Sequence, residues 1–334
     1  MWYYLFLALF VPGFLTYIVQ HLICSYFYKT QNLKKRYNAE WALVTGASSG
    51  IGKSIATRLA RQGLNVVLVA LGDNLLDTTF EELKAAYPKC QFRKVAADLG
   101  GSDYLAPIVE ATSDIKVQIV FNNAGYLLTG FFHTRRGPNA ERLAHRTSWE
   151  LPLDALMKNL NCNAVSGVQI THHFVRQLIS TGARGCVVFT SSAAAAMPSP
   201  FSVQYAATKS FISVFGASLA PEVKPYGIDV LVFHPSPVAS RFYDKAHKLD
   251  ALDFFKRFAV NPDELPDTVF ASIGRTVWRD VGPTALAFRM LTKVIDYNFL
   301  STVIAAFGRY MPDFKRASAD TIAPSGTAAT KKAH

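Results

Sequence analysis

The strongest constraint on the fold is a regular alternation of short apolar runs and helical patterns that begins at residue 41. Residues 41–45 form an apolar run that ends at Gly46, and residues 51–62 then carry helical spacing up to Gly63. Further apolar runs follow at residues 66–70, 91–96, 117–121, 186–190 and 228–233. Repeated strand–helix units predict a parallel sheet covered on both faces. We therefore expect an α/β fold with a doubly wound, Rossmann-like parallel sheet.

Longer helical patterns at residues 152–181 and 203–225 complete this plan. Two regions lie outside it, a basic insertion at residues 131–150 and the segment 242–313 beyond the last predicted strand, and both are expected to shape a substrate mouth. The apolar run 299–307 is too short to cross a bilayer, so we expect a core helix or a segment that touches the membrane.

The N-terminal segment, residues 1–28, contains no Lys, Arg, Asp or Glu and is long enough to span hydrocarbon. Four basic residues follow within residues 29–36, which predicts a retained anchor with the remaining chain in the cytosol. Pro12 and Gly13 interrupt the segment, so a hairpin or an in-plane anchor is the alternative to a straight crossing.

Length and composition fit one domain with appendages. We divide the 334 residues into a membrane anchor (1–28), a basic linker (29–40), one α/β domain (41–313) and a flexible basic tail (314–334).

The four cysteines form no C-x-x-C pair or disulfide framework, and no cluster with metal-ligand spacing is expected. The net charge of +11 comes without zinc-finger spacing or an Arg-rich recognition segment, so an anionic membrane surface is expected as partner rather than nucleic acid.

A glycine-rich turn follows the first predicted strand, with the sequence T-G-A-S-S-G-I-G at residues 45–52. Glycines let backbone amides approach a pyrophosphate, whose negative charge a helix N-terminus favours, although such turns also occur without a ligand. The candidate cofactor contacts are Gly46, Ser48, Ser49, Gly50, Ile51 and Gly52. A second turn, N-N-A-G at residues 122–125, ends another strand and adds Asn123, Ala124 and Gly125.

Tyr205 and Lys209 lie four residues apart in a predicted helix, which places phenol and ammonium on one face. The cation is expected to lower the pKa of Tyr205 and so to suit the phenol to proton transfer. Ser192, which follows the strand 186–190, supplies a hydroxyl for a substrate oxygen. Asn163 is unfavourable within a helix, which indicates either a buried water-ordering role or a helix irregularity.

Taken in this order, these motifs resemble the short-chain dehydrogenase/reductase family from about residue 41 to residue 241. The resemblance implies a nicotinamide cofactor and a catalytic tetrad of Asn163, Ser192, Tyr205 and Lys209, with Tyr205 and Lys209 also contacting the cofactor. It further implies an adenine contact from Asp98 and nicotinamide contacts from Val238 and Ser240. The family's Pro-Gly pair is replaced by Pro235-Ser236, which departs from the pattern.

Three features are similar to the microsomal 3-ketoacyl-CoA reductase and 17β-hydroxysteroid dehydrogenase branch: the apolar anchor, M-P-S-P at residues 197–200 and the dilysine-like K-K-A-H at residues 331–334. The resemblance implies an endoplasmic-reticulum membrane location, reduction of a 3-oxoacyl-CoA, and NADP(H) in preference to NAD(H). Leu71, where a charged residue often selects the cofactor, does not decide between the two, and Asp73 lies further along the chain.

Two other functions remain open on the sequence. A steroid or retinoid dehydrogenase would act on a lipophilic substrate without phosphate contacts, whereas Arg135, Arg136, Arg142 and Arg146 offer charge for a CoA phosphate. A membrane-tethered scaffold that binds the cofactor without catalysis is the alternative of another class. A homo-oligomer and partners in an elongation complex are also open.

Overall fold

The structure is a computed structural model that describes residues 2–129, 151–244, 246 and 249–319. The basic insertion at residues 131–150, with its four arginines, lies outside the described residues, whereas all four catalytic candidates lie within them. The dilysine-like terminus also lies outside them.

A seven-stranded sheet forms the centre of the domain, and every neighbouring pair of strands is parallel. The strands are β1 (Trp41–Thr45), β2 (Asn65–Ala70), β3 (Phe92–Ala96), β4 (Val117–Asn122), β5 (Gly185–Thr190), β6 (Ile228–Pro235) and β7 (Trp278–Val281). Their order is β3-β2-β1-β4-β5-β6-β7, so the chain reverses direction across the sheet between β1 and β4. The predicted doubly wound sheet is confirmed, and ligands bind such sheets at this reversal.

The last strand, β7, corrects the expectation that the segment 242–313 lies wholly beyond the sheet. It pairs with β6 from Val232↔Trp278 to Pro235↔Val281. Its sequence, W-R-D-V, is only four residues long and half charged, which gives no apolar run. Arg279 and Asp280 are nevertheless buried, because the N-terminal segment covers this edge of the sheet.

Helices cover both faces of the sheet. They are α1 (Trp2–Leu22), α2 (Leu33–Tyr37), α3 (Gly50–Arg61), α4 (Asn74–Ala86), α5 (Leu105–Ala111), α6 (Leu153–Leu160), α7 (Ser166–Ser180), α8 (Val203–Val223), α9 (Asp250–Lys256), α10 (Leu265–Ser272), α11 (Pro283–Val294), α12 (Tyr297–Phe307) and α13 (Pro312–Ala319). Two apolar clusters result, one on each face, and alternate residues of the strands contribute to opposite clusters. Leu43 and Val44 of β1 illustrate the alternation, since they belong to different clusters.

The predicted helix at residues 152–181 is two helices joined by a π-helical turn, Asn161–Val165. The turn contains Asn163, whose side chain bonds outside the helix. The interpretation as a helix irregularity is therefore confirmed, because the π-helical turn accommodates the buried contacts of Asn163. The water-ordering role stays a prediction.

The C-terminal half of α1 and the turn after it are bound to the sheet edge by polar contacts. Tyr17 Oη donates to Asp280 Oδ2 (3.0 Å), and Gln20 Nε2 donates to Thr276 Oγ1 (3.1 Å). Arg279 Nη2 donates to Ser25 Oγ (2.8 Å). Within the described residues, no single helix combines the length and apolar composition needed to cross a bilayer, but α11 and the segment Tyr297–Tyr310, joined at a 105° bend, do so as a pair.

The short apolar run at residues 299–307 falls in α12, and none of this helix's side chains is buried. Phe299 and Phe307 are 62% and 60% exposed. Leu300, Val303 and Ile304 are half-buried, so α12 packs against the domain without entering its core. Of the two expectations, the core helix is not met, and the segment that touches the membrane stays a prediction.

Close packing of α8 on the sheet predicts a cost for a small change at Gly216. A Cβ there would lie 2.9 Å from Phe189 Cδ2 and closer still to Val232 Cγ2. We expect Gly216→Ala to lower the free energy of unfolding by about 1–3 kcal/mol, because the helix must move away from the strands. Ser218→Ala, at an exposed position of the same helix, is the control. Equal urea midpoints for the two variants would contradict this packing.

Candidate active site

The glycine-rich turn lies between β1 and α3, at the sheet's point of reversal. Gly46 and Gly50 have φ angles of 65° and 51°, a left-handed conformation that residues with a Cβ rarely adopt. Ser49, the N-cap of α3, makes no capping bond through its side chain within the described residues. The first amides of α3 are therefore available to an anion.

A set of hydrogen bonds fixes this turn to the ends of β4 and β5. Thr45 Oγ1 accepts from the amides of Asn123 (2.9 Å) and Ala124 (3.0 Å). Asn123 Nδ2 donates to Thr45 O (3.1 Å), and Asn123 Oδ1 accepts from Thr190 Oγ1 (3.0 Å). The N-N-A-G segment thus joins three strand ends and leaves Gly125 next to the catalytic candidates.

Asn163 is held in the π-helical turn by bonds to both backbone groups of Tyr126. Its Oδ1 accepts from Tyr126 N (2.9 Å), and its Nδ2 donates to Tyr126 O (3.0 Å). The same Nδ2 lies 3.3 Å from Thr208 Oγ1 on α8. Asn163 therefore fixes the segment after Gly125 and links it to the helix that carries Tyr205 and Lys209.

Lys209 is buried beside this asparagine, and its Nζ donates to Thr190 O (2.8 Å). Burial disfavours the ammonium and lowers the pKa of Lys209 to about 8. A Cβ on Gly125 would lie 3.0 Å from Asn163 Oδ1 and 3.2 Å from Lys209 Nζ. Glycine at this position thus keeps the approach to both polar groups open.

Tyr205 lies on the same face of α8, with Lys209 Nζ 5.7 Å from the centre of its ring. Burial raises the pKa of Tyr205 above its ordinary value, Tyr243 adds to the rise, and a hydrogen bond with Ser192 opposes it. The direction is opposite to the one expected from the sequence. The physical reason is desolvation, because burial disfavours the charged phenolate and the Lys209 ammonium donates to the Thr190 carbonyl rather than to the phenol.

Ser192 caps a short 3-10 turn, Ala193–Ala196, and its Oγ accepts from Ala194 N (3.2 Å). Ser192 also acts on Tyr205, since a side-chain interaction with Ser192 lowers the pKa of the phenol. The predicted residues Asn163, Ser192, Tyr205 and Lys209 are therefore assembled at one site. Their geometry suits binding a carbonyl oxygen and transferring a proton to it.

Three supporting residues were not found by sequence reasoning. Ser191 Oγ and Ser213 Oγ donate to Lys209 O at 2.9 and 2.6 Å. His234 Nε2 lies 2.9 Å from Ser213 Oγ, and burial lowers the pKa of His234 well below its ordinary value, so its ring is neutral. No spacing in the sequence indicates these contacts, because they join a strand end, a helix and a neighbouring strand.

The two carboxylates that the sequence raised as candidate cofactor contacts have different partners. Burial acts to raise the pKa of Asp98, but hydrogen bonds from Lys158 and Gly100 N outweigh it and hold the pKa below its usual value. Asp98 Oδ2 lies 3.0 Å from Lys158 Nζ. Asp73 Oδ1 instead accepts from Leu75 N and Leu76 N, both at 3.1 Å, and so caps α4.

The departure at Pro235-Ser236 has a structural role. Ser236 is buried, and its Oγ accepts from Ala285 N (3.0 Å) in the first turn of α11. Further along, Ser240 lies against the glycine-rich turn, since a Cβ on Gly50 would be 3.2 Å from Ser240 Cβ. The open amides of α3 and the space that glycines leave beside Ser240 and Asn163 fit a nicotinamide dinucleotide.

The glycine-rich turn predicts a stability effect at Gly52. A Cβ there would collide with Gly46 O and lie 2.7 Å from Asn123 Nδ2. We expect Gly52→Ala to lower the free energy of unfolding by about 1–3 kcal/mol in urea titrations. Gly101→Ala is the matched control, because its Cβ would meet only Asp98 O at 3.4 Å, an ordinary contact. A loss of unfolding free energy no larger than the control's would show that the turn can accommodate a Cβ, which contradicts this packing.

Comparisons with known proteins agree with this geometry. The profile described as short chain dehydrogenase matches residues 40–249. A very-long-chain 3-oxoacyl-CoA reductase of Aspergillus terreus is 32% identical over 238 residues, which cover 70% of this chain and 61% of that protein. The 17-beta-hydroxysteroid dehydrogenase type 3 of Mus musculus is 31% identical over 222 residues, covering 66% and 67%.

Among solved structures, a short-chain dehydrogenase from Sphingobium yanoikuyae in complex with NADPH superposes with a TM-score of 0.58 at 25% identity. The match covers 68% of this chain and 81% of that one. Together with the profile match over most of the α/β domain, these similarities establish the family and its cofactor class. The chain belongs to the short-chain dehydrogenase family and is an NAD(P)-dependent oxidoreductase.

Proposed function

We propose that this enzyme reduces a 3-oxoacyl-CoA to the 3-hydroxyacyl-CoA, with NADPH as reductant, at the endoplasmic-reticulum membrane. The observation that carries the chemistry is the grouping of half-buried Ser192 with buried Tyr205 and Lys209. The substrate class is supported by the similarity to the fungal protein named as a very-long-chain 3-oxoacyl-CoA reductase. The chain covers 61% of that protein, so its activity is transferred here as a proposal.

The residues divide the reaction between them. Ser192 donates a hydrogen bond to the substrate carbonyl oxygen, and Tyr205 gives that oxygen its proton. Lys209 stabilises the phenolate that remains. Asn163 holds the Tyr126 backbone in a fixed position relative to α8. A nicotinamide held next to these residues would supply the hydride. In the reverse direction, the same phenolate accepts the proton of a secondary alcohol.

The proposed membrane location is supported by the uncharged segment 1–28 and the basic residues after it. The polar contacts of Tyr17, Gln20 and Ser25 with the sheet edge favour the hairpin or in-plane anchor over a straight crossing by the whole segment. Hydrogen-bonding side chains that contact the domain are not available to lie in hydrocarbon. A domain on the cytosolic side is consistent with the position of the basic linker.

A steroid dehydrogenase is the second candidate, and the similarity to the mouse 17-beta-hydroxysteroid dehydrogenase favours it. Turnover of a 3-oxoacyl-CoA, a steroid ketone and retinal by the purified full chain, each with NADPH and NADH, separates the two. We expect the largest kcat/KM with the 3-oxoacyl-CoA. A steroid ketone reduced at least as efficiently would overturn the proposed substrate while leaving the oxidoreductase chemistry intact.

The proposed preference for NADPH gives a test at Asp73. Its carboxylate caps α4, and asparagine caps helices equally well. We therefore expect Asp73→Asn to change the ratio of kcat/KM for NADPH and NADH by less than about threefold. If the carboxylate instead bound the ribose of NADH, its kcat/KM would fall about tenfold or more, as is typical of a lost charged hydrogen bond.

The pKa of Lys209 predicts a pH dependence. The ammonium is present below its pKa of about 8 and is lost as the pH rises through that value. The pKa of Tyr205 is raised, so its phenol stays protonated over the same range. We expect kcat/KM for carbonyl reduction to fall about tenfold per pH unit above about pH 8. Lys209→Arg should move the fall to higher pH, and a flat wild-type profile up to about pH 9.5 would contradict the role of the cation.

A further inference from the structure

The helix α12 presents an apolar surface that is largely exposed within the described part of the chain. It has no charged residue between Tyr297 and Phe307, and none of its side chains is buried. Phe299 and Phe307 are among the most exposed aromatic side chains of the described residues. An exposed apolar surface of this kind marks an interaction site.

The serine and threonine hydroxyls of α12 are bonded within the helix itself. Ser301 Oγ donates to Tyr297 O (2.7 Å), and Thr302 Oγ1 donates to Asn298 O (2.8 Å). Hydroxyls bonded to the preceding turn need no water partner, so the helix tolerates contact with an apolar phase. A protein partner would gain little specificity from hydroxyls that are already bonded.

The two ends of α12 carry the residue types that favour a lipid–water interface. Tyr297 and Tyr310 are each 55% exposed. Arg309 lies over the Tyr310 ring, 4.9 Å from its centre, and Lys293 precedes the helix. Tyrosine rings prefer the headgroup region, and basic side chains attract anionic lipids.

Length and position specify how such a helix would meet a bilayer. Eleven residues extend about 16 Å, which is well short of the hydrocarbon thickness of about 30 Å. The helix bends by 105° from α11, and α11 packs against α1, whose Val11 and Leu15 are also exposed. Through α11, α12 is therefore linked to the helix that carries the N-terminal apolar segment.

We propose that α12, with Tyr297, Tyr310 and Arg309 at its ends, is a docking surface that lies in the headgroup region of an anionic phospholipid bilayer. This inference deepens the proposed function and rests on its membrane location. The surface is joined to the active site, because α11 packs against the turn after Ser192 and Asp313 of α13 accepts from Asp250 N (2.7 Å) of α9. A lipophilic substrate held in the bilayer would thus meet elements that adjoin the catalytic residues.

Tryptophan fluorescence in vesicles tests the proposal. The full chain with Phe299→Trp is reconstituted into vesicles of phosphatidylcholine and phosphatidylserine, with and without bromine on the acyl chains. Phe211→Trp, at a 49% exposed aromatic position of α8, is the matched control, and the unsubstituted chain gives the signal of the native tryptophans. We expect the added tryptophan at position 299 to be quenched about twofold more than that at position 211, because an interfacial helix buries its apolar face at the acyl boundary.

Equal quenching at the two positions would overturn the proposal. So would a shielded tryptophan at position 299 that brominated lipid does not quench, accompanied by cross-linking between two chains there, since the occupant would then be a second copy. A charge variant gives an independent readout: Phe299→Asp should lower the affinity for the vesicles about tenfold relative to Phe211→Asp. Neither measurement uses turnover, so failure here is separate from failure of the proposed reductase activity.

Discussion

The buried ammonium of Lys209 is the interaction on which the active site depends. It joins α8 to the end of β5 through the Thr190 carbonyl, and its own backbone carbonyl accepts from Ser191 and Ser213. A buried charge is costly unless it is hydrogen-bonded, so these contacts specify one position for the helix turn that carries the lysine. Thr190 also bonds Asn123, which holds the glycine-rich turn, and the catalytic and cofactor parts therefore share one frame.

Burial has two effects on the proton-transfer residues. It raises the pKa of Tyr205 and lowers the pKa of Lys209, so both shifts favour the neutral forms. A neutral phenol is the form that can protonate a carbonyl oxygen, while the cation is needed once the phenolate has formed. The two requirements are met together only below the pKa of the lysine, which links the catalytic range to how deeply α8 is buried.

The parallel sheet and the positions of its turns could be predicted because buried parallel strands have continuous apolar sequences and glycine marks close backbone approach. Asn163, Ser192, Tyr205 and Lys209 could be predicted as a set from their order along the chain. The strand β7 could not, since Arg279 and Asp280 are buried by contacts from the distant segment around Tyr17 and Ser25. His234 and Ser213 were missed because their contact also joins residues that are far apart in the sequence. The direction of the Tyr205 pKa shift depends on desolvation, which the spacing of residues does not reveal.

The central claim, that the Tyr205 hydroxyl transfers the proton, is tested most directly by Tyr205→Phe. Single-turnover reduction of a 3-oxoacyl-CoA is measured together with the Kd for NADPH, and Tyr104→Phe, which removes a hydroxyl bonded to Gln169, is the control. The account predicts that Tyr205→Phe slows reduction by about 10²–10⁴-fold, the usual contribution of a positioned acid, while NADPH binding persists and the control remains active. Reduction by Tyr205→Phe at a rate near that of the control would contradict it.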